Sequence, residues 1–130
     1  MELLVIILIV GIVASVGLLN FGPTKEKALD KEAQISLKLI QEAEKIYRLE
    51  TTTIGAGGYY VACADAPQIN EEMKLSLPAS STNWGYKINI TASDFVAKAQ
   101  RNTGDPRTWC IRAADNDPFS NITDPTNCTW

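Results

Sequence analysis

Residues 25–50 read KEKALDKEAQISLKLIQEAEKIYRLE, and the reading of this stretch decides the fold. Its apolar residues Leu29, Ala33, Leu37, Ile40, Ala43 and Tyr47 recur at steps of three and four. On a helix of 3.6 residues per turn that spacing makes one apolar stripe, which must find a cover. Lys27, Lys31, Lys38, Glu42 and Lys45 populate the remaining surface. Glu44 stands four residues before Arg48, the favourable order for an exposed ion pair on one helix face.

Toward the N-terminus the character changes. Residues 1–21 read MELLVIILIVGIVASVGLLNF, with Glu2 as the single acid. From Leu3 to Leu19 there is no charge; at 1.5 Å per residue this run reaches roughly 26 Å, close to the ~30 Å hydrocarbon core of a bilayer. A secretory signal begins with Lys or Arg and ends at a small-residue cleavage site, whereas here the front charge is acidic. Gly22 and Pro23 follow. Pro23 is expected to kink or locally unwind the helix rather than end it. The organisation expected is an apolar stem or transmembrane helix over 1–22, its amphipathic continuation over 23–50, and a globular head over 51–130.

The chain has 130 residues and a formal net charge of −3, with a pI near 4.9. That balance argues against a protein built to grip nucleic acid. There is no histidine, so the commonest general base and metal ligand is missing. Roughly 80 residues follow the helix, enough for a small core. Of the cysteines Cys63, Cys110 and Cys128, the last two bracket a polar stretch rich in Asp, Asn, Thr and Pro. This reads as a disulfide-closed loop made in an oxidising compartment. Such a bridge would close about 19 residues and stabilise by on the order of 3 kcal/mol in the chain-entropy model. Cys63 is left over, either buried or exchanging with one of the other two.

In the head, TTTIGAGG at 51–58 reads as a loop or hinge, and YYVACA at 59–64 fits a strand or a short helix. Residues 69–77 suit a short helix or turn that stops at Pro78. Three strands are then expected. WGYKINI at 84–90 alternates Trp84, Tyr86, Ile88 and Ile90 on one face. DFVAKAQR at 94–101 alternates Phe95, Ala97 and Ala99, small enough for a helix to approach. TWCIRAA at 108–114 follows the Gly104-Asp105-Pro106 turn signal. Short connections suggest an antiparallel meander whose apolar face covers the Leu29–Tyr47 stripe. The fold class expected is therefore α+β, a long N-terminal helix packed on a small antiparallel sheet.

Residues 1–17, MELLVIILIVGIVASVG, resemble the N-terminal signature of type IV pilins and pseudopilins. Processed chains of that family begin with an aromatic residue followed by Thr-Leu-Ile/Met-Glu-Leu-Leu. Met1-Glu2-Leu3-Leu4 match the end of that pattern, and Gly11 matches a glycine common in these stems. The basic leader, the cleavage-site glycine and the first mature residues of the pattern are absent. Either the given chain begins inside the true protein at an internal Met, or it is a variant made without the usual processing.

The resemblance implies a pilin-like fold in which Glu2, Leu3, Leu4, Gly11 and Pro23 serve assembly. It implies that Glu2 pairs with the N-terminal amine of a neighbouring subunit. The physics is consistent, since an unpaired carboxylate in a low-dielectric bundle costs several kcal/mol, much of which a partner cation recovers. The implied partners are identical subunits in a homopolymer, the inner membrane before assembly and the pilus assembly machinery, with no specific nucleic acid. The cysteine-bounded C-terminal loop is implied to lie on the filament exterior. The function expected is a structural subunit of an extracellular filament on the cell surface. A minor pseudopilin of a type II secretion or DNA-uptake machine shares that fold. A monomeric membrane-anchored binding protein is the reading from another class.

Smaller signals lie in the head. Asn89, Asn121 and Asn127 each open an Asn-X-Thr triplet, acceptors that work in exported loops, and Asn121 is the best placed of them. Asp115, Asp117 and Asp124 share one loop, and closely spaced carboxylates suit Ca²⁺, which makes them weak candidates for it; the EF-hand spacing is absent, and solvated turn residues, with neither metal nor cofactor, are the expectation. No nucleophile elbow, phosphate loop or zinc spacing is present, and no enzymatic activity is expected.

Overall fold

The computed structural model describes residues 2–18, 21–52, 57–78, 83–91, 93–103 and 107–121. It is α+β, with three helices and a four-stranded antiparallel sheet. The chain divides into two compact units, residues 1–31 and residues 32–130.

In the first unit, helix α1 spans Glu2–Leu18. Most of its residues are β-branched or leucine, and no polar face interrupts them. Every side chain from Leu3 to Ser15 is exposed, Leu3 at 71% and Ile9, the least, at 55% among the large apolar ones. Its one polar side chain past the front, Ser15, donates back to the Ile12 carbonyl at 2.8 Å, which keeps the hydroxyl satisfied within the helix.

Helix α2 spans Phe21–Glu50. Pro23 is its third described residue, and the residue four before it, 19, lies outside the described residues. The kink or local unwinding expected at Pro23 falls beside residues 19 and 20, which lie outside the described residues.

The second unit contains the rest of α2, helix α3 at Ala66–Met73 and strands β1 (Trp84–Ile90), β2 (Phe95–Arg101), β3 (Thr108–Arg112) and β4 (Phe119–Ser120). The strands run in the order β1-β2-β3-β4, the meander expected from sequence with a two-residue fourth strand added. The 59–64 segment is neither strand nor helix; it touches β1 through one antiparallel bridge, Cys63 to Ile88.

Alternation sorts the two faces of the sheet. Register places Tyr86 opposite Ala99 and Ile88 opposite Ala97, with Ala97 opposite Ile111. Large residues thus lie beside alanines. Trp84, Tyr86, Ile88, Phe95, Ala97, Ala99 and Ile111 are all buried, as are Ala33, Leu37 and Ile40 of α2. Tyr86 of β1 lies against Ser36 of α2.

Polar bonds fix the seat. The Gln41 side-chain amide donates to the Arg112 carbonyl at 2.6 Å and to the Asp115 carbonyl at 2.8 Å, tying the turn after β3 to the helix. Lys38 pairs with Asp117 at 2.6 Å on the surface, where such a pair contributes at most ~1 kcal/mol.

Helix α3 starts at an aspartate N-cap. Asp65 accepts from the Gln68 N–H at 3.0 Å, and the Gln68 side chain reaches back to accept from the Ala64 N–H at 2.8 Å. The helix begins three residues before the span expected from sequence and ends at Lys74, whose φ of 54° puts it in the left-handed region. Asn70 then clasps Leu77, donating to its carbonyl and accepting from its N–H, both at 2.7 Å.

Candidate functional site

The assembly residues read from sequence lie in the first unit. Glu2 is the first residue of α1. Leu3 and Leu4 are about 70% exposed, and a side chain added at Gly11 would meet nothing within 4 Å. Pro23 is exposed. Glu2, Leu3, Leu4 and Gly11 share α1, a helix with apolar side chains on all sides and no polar face to turn toward water, whereas Pro23 stands in α2. As described, α1 has 17 residues, a rise of roughly 26 Å against the ~30 Å of hydrocarbon. Among the described residues no helix is long and apolar enough to cross a membrane.

The second unit holds a buried polar cluster that the sequence reading did not assemble. Glu44, expected on the surface beside Arg48, is fully buried. The reason is periodic: Ala33, Leu37, Ile40 and Glu44 step by four, three and four, so position 44 falls on the covered face. One carboxyl oxygen accepts from the Val61 N–H at 3.2 Å, and the other has no hydrogen-bond partner. Burial pushes the carboxyl up to about 7, with the Val61 N–H pulling the other way.

Arg48 does not pair with Glu44. Its guanidinium lies 5.0 Å from the centre of the Tyr60 ring and donates to the Tyr60 hydroxyl at 2.8 Å. The Tyr59 N–H donates to the Thr51 hydroxyl at 3.3 Å. Segment 57–63 is thereby strapped along the end of α2 by Glu44, Arg48 and Thr51. Gly58 makes the approach possible: a Cβ there would lie only 1.8 Å from the Arg48 carbonyl oxygen.

Cys63, at the end of this strap, is a buried free thiol. Burial and then the neighbouring Glu44 raise it to about 11, which leaves it protonated and unreactive. Cys110 is buried in β3. Register places it opposite Lys98 and Phe119, on the face away from the core alanines. Cys128 lies outside the described residues.

The triplet asparagines separate. Asn89 is half-buried in β1, opposite Val96. Asn121 is half-buried and its side-chain carbonyl accepts from the Thr108 N–H at 3.0 Å, so its loop holds it more closely than an open turn would. Asn127 lies outside the described residues. Of the three aspartates two are described. Asp115 accepts from the Arg112 N–H at 2.8 Å, Asp117 faces Lys38, and Asp124 lies outside the described residues. Among the described residues no group of three or more acidic or cysteine side chains is placed to hold a metal.

No family model, no curated protein and no solved structure matches this chain.

Proposed function

We propose that this chain is a structural subunit of pilin type, polymerising through its apolar N-terminal helix into an extracellular filament. The observation that carries the reading is α1. Ten large aliphatic side chains between Leu3 and Val13 are each more than half exposed, on a helix without a polar face. In water so much exposed apolar area is unfavourable by about 25 cal/mol per Å². Lipid before assembly and the stems of identical subunits afterwards are environments that remove it.

In such a bundle Glu2 meets the N-terminal amine of a neighbour, and the head, with its helix seated on the antiparallel sheet, forms the outer coat. Cys110 pairs with Cys128 across the C-terminal loop. Supporting this, Cys110 is fully buried on the sheet face away from the core, whereas the free thiol among the described residues is Cys63. Subunits wait in the bacterial inner membrane and are drawn out by the pilus assembly machinery.

Electron microscopy of the purified material tests the reading. Long helical polymers of this one chain are expected. Glu2→Ala should reduce filament mass at least about tenfold, consistent with a few kcal/mol for an ion pair in low dielectric, while leaving the chain in the membrane fraction. Monomers only, with no filaments, would overturn the reading, and normal filaments from Glu2→Ala would overturn the pairing role of Glu2.

A further inference from the structure

The face of α2 opposite its buried stripe is itself patterned. Ile35, Leu39, Ile46 and Leu49 are exposed, from 47% at Leu39 to 74% at Leu49. With Glu42 among them they step by four, three, four and three, the a/d spacing of a coiled-coil seam. Ile35, Leu39, Glu42 and Ile46 each stand two residues after a buried position, Ala33, Leu37, Ile40 and Glu44. Two residues are about 200° round the helix, so this second stripe points away from the core that takes up the first.

Midway along it, α2 and the end of α3 form a groove of about 270 Å³. Leu39, Ile46 and Tyr47 from α2, with Met73 and Leu75 beyond α3, give it apolar walls. Its volume falls below the usual range of a small-molecule site and suits one or two inserted side chains. Glu42, Glu50 and Glu72 line it as well. Lys74 is the one cation in the described lining, and its ammonium donates to the Glu71 carbonyl at 2.9 Å. Glu42 accepts from Lys45 at 2.7 Å in an exposed pair, which is weak enough to exchange for another cation.

We infer that this face docks an amphipathic helix of another protein, with a lysine or arginine facing Glu42 and an apolar side chain seated in the groove. Charge complementarity selects that occupant. The stripe itself contains an acid and no cation. A second copy paired in parallel would set Glu42 against Glu42, and one paired antiparallel would bring two carboxylates into one apolar seam; both are costly. A lipid surface, commonly anionic, is opposed by Glu42 and by Glu50 and Glu72 beside it. A basic helix satisfies the acids and covers the aliphatic side chains together, and it uses the second unit alone. The inference goes beyond the filament reading and does not depend on it.

The test is a titration of the full chain in a polyoxyethylene detergent, followed by the methyl resonances of its isoleucines, leucines and methionines. The probe is a synthetic helix of three heptads with leucine at a and d, except for lysine at the central d position; its counterpart has glutamate there. The lysine peptide should bind with a dissociation constant of about 1 mM or tighter, shifting the methyls of Leu39, Ile46 and Met73. The glutamate peptide should bind about tenfold more weakly, the step from attraction to repulsion at one screened site. Glu42→Lys should reverse that order. Ile46→Ala should weaken the lysine peptide at least about fivefold, with the Ile40 and Ile111 methyls unmoved as the sign of an intact core. Equal binding of the two peptides, no shift with either, or an unchanged order in Glu42→Lys would each overturn the inference. So would shifts of the same methyls on dilution of the chain alone, which would put a second copy on this face, or their broadening by a spin-labelled lipid, which would put a lipid surface there.

Discussion

Ile9 and Ile40 are the same residue on helices of the same chain, and they end in opposite surroundings. Ile9 is 55% exposed on α1, and Ile40 is fully buried on α2. Around Ile40 the apolar positions form a stripe, and the stripe is buried together with the inner face of the sheet. Around Ile9 they form no stripe, since a helix that is apolar on every side needs surroundings that are apolar on every side. A four-stranded sheet can cover one face of one helix. On the filament reading proposed above, lipid or other copies complete the first segment; the second is buried within its own unit.

The sharpest way to break that comparison is to cut both isoleucines to alanine. Ile40→Ala should lower the unfolding free energy by about 2–5 kcal/mol, the usual range for a large buried aliphatic, as measured by denaturant titration of the head's tryptophan fluorescence. Ile9→Ala should shift the same transition by no more than about 0.5 kcal/mol and act instead on the yield of filaments. Equal effects on the head transition would mean that the two helices are not differently employed.

Next in size is pH, which probes the one ionisable side chain that α2 buries. With its carboxyl pushed up to about 7 from a usual 4.5, folded Glu44 holds its proton more tightly than the unfolded chain does. Its contribution is fully present below about pH 4.5 and is lost as pH rises through about 7. The difference across that window is about 3 kcal/mol at 1.36 kcal/mol per pH unit. Glu44→Gln should flatten the slope between pH 5 and pH 8 relative to the parent. A parallel slope in the variant would assign the dependence elsewhere.

A smaller effect is expected at the strap. Gly58→Ala places a methyl against the Arg48 carbonyl, and overpacking of this kind costs about 1–3 kcal/mol. Because the clash is confined to segment 57–63 and the end of α2, hydrogen exchange should quicken at Tyr59, Val61 and Cys63 first. Exchange that rises equally in β2 would show that the strap and sheet open together.

Much of the head was legible. WGYKINI and DFVAKAQR alternate strictly, and β1 and β2 follow within a residue of the expected bounds because a period of two needs only local sequence. The two-residue β4 was not legible, since Phe119-Ser120 has no pattern of its own and exists only by pairing with Trp109 and Cys110. The bonds of segment 57–63 to Glu44, Arg48 and Thr51 were equally hidden, being set by partners 8–17 residues away. Glu44 is the instructive miss. Its charge suggested solvent, while its spacing from Ala33, Leu37 and Ile40 placed it on the buried face, and the spacing prevailed.

Residues 3–15 settle by themselves that this chain contains a helix apolar on every side, and residues 84–101 that it contains a hairpin with one apolar face. Both follow from side-chain period and polarity, which are local quantities. Only the tertiary structure decided that Glu44 is enclosed, that Arg48 turns to Tyr60, and that Met73 and Leu75 line one groove with Leu39 and Ile46. Those outcomes depend on which backbone arrives opposite each side chain, and a linear pattern does not specify that.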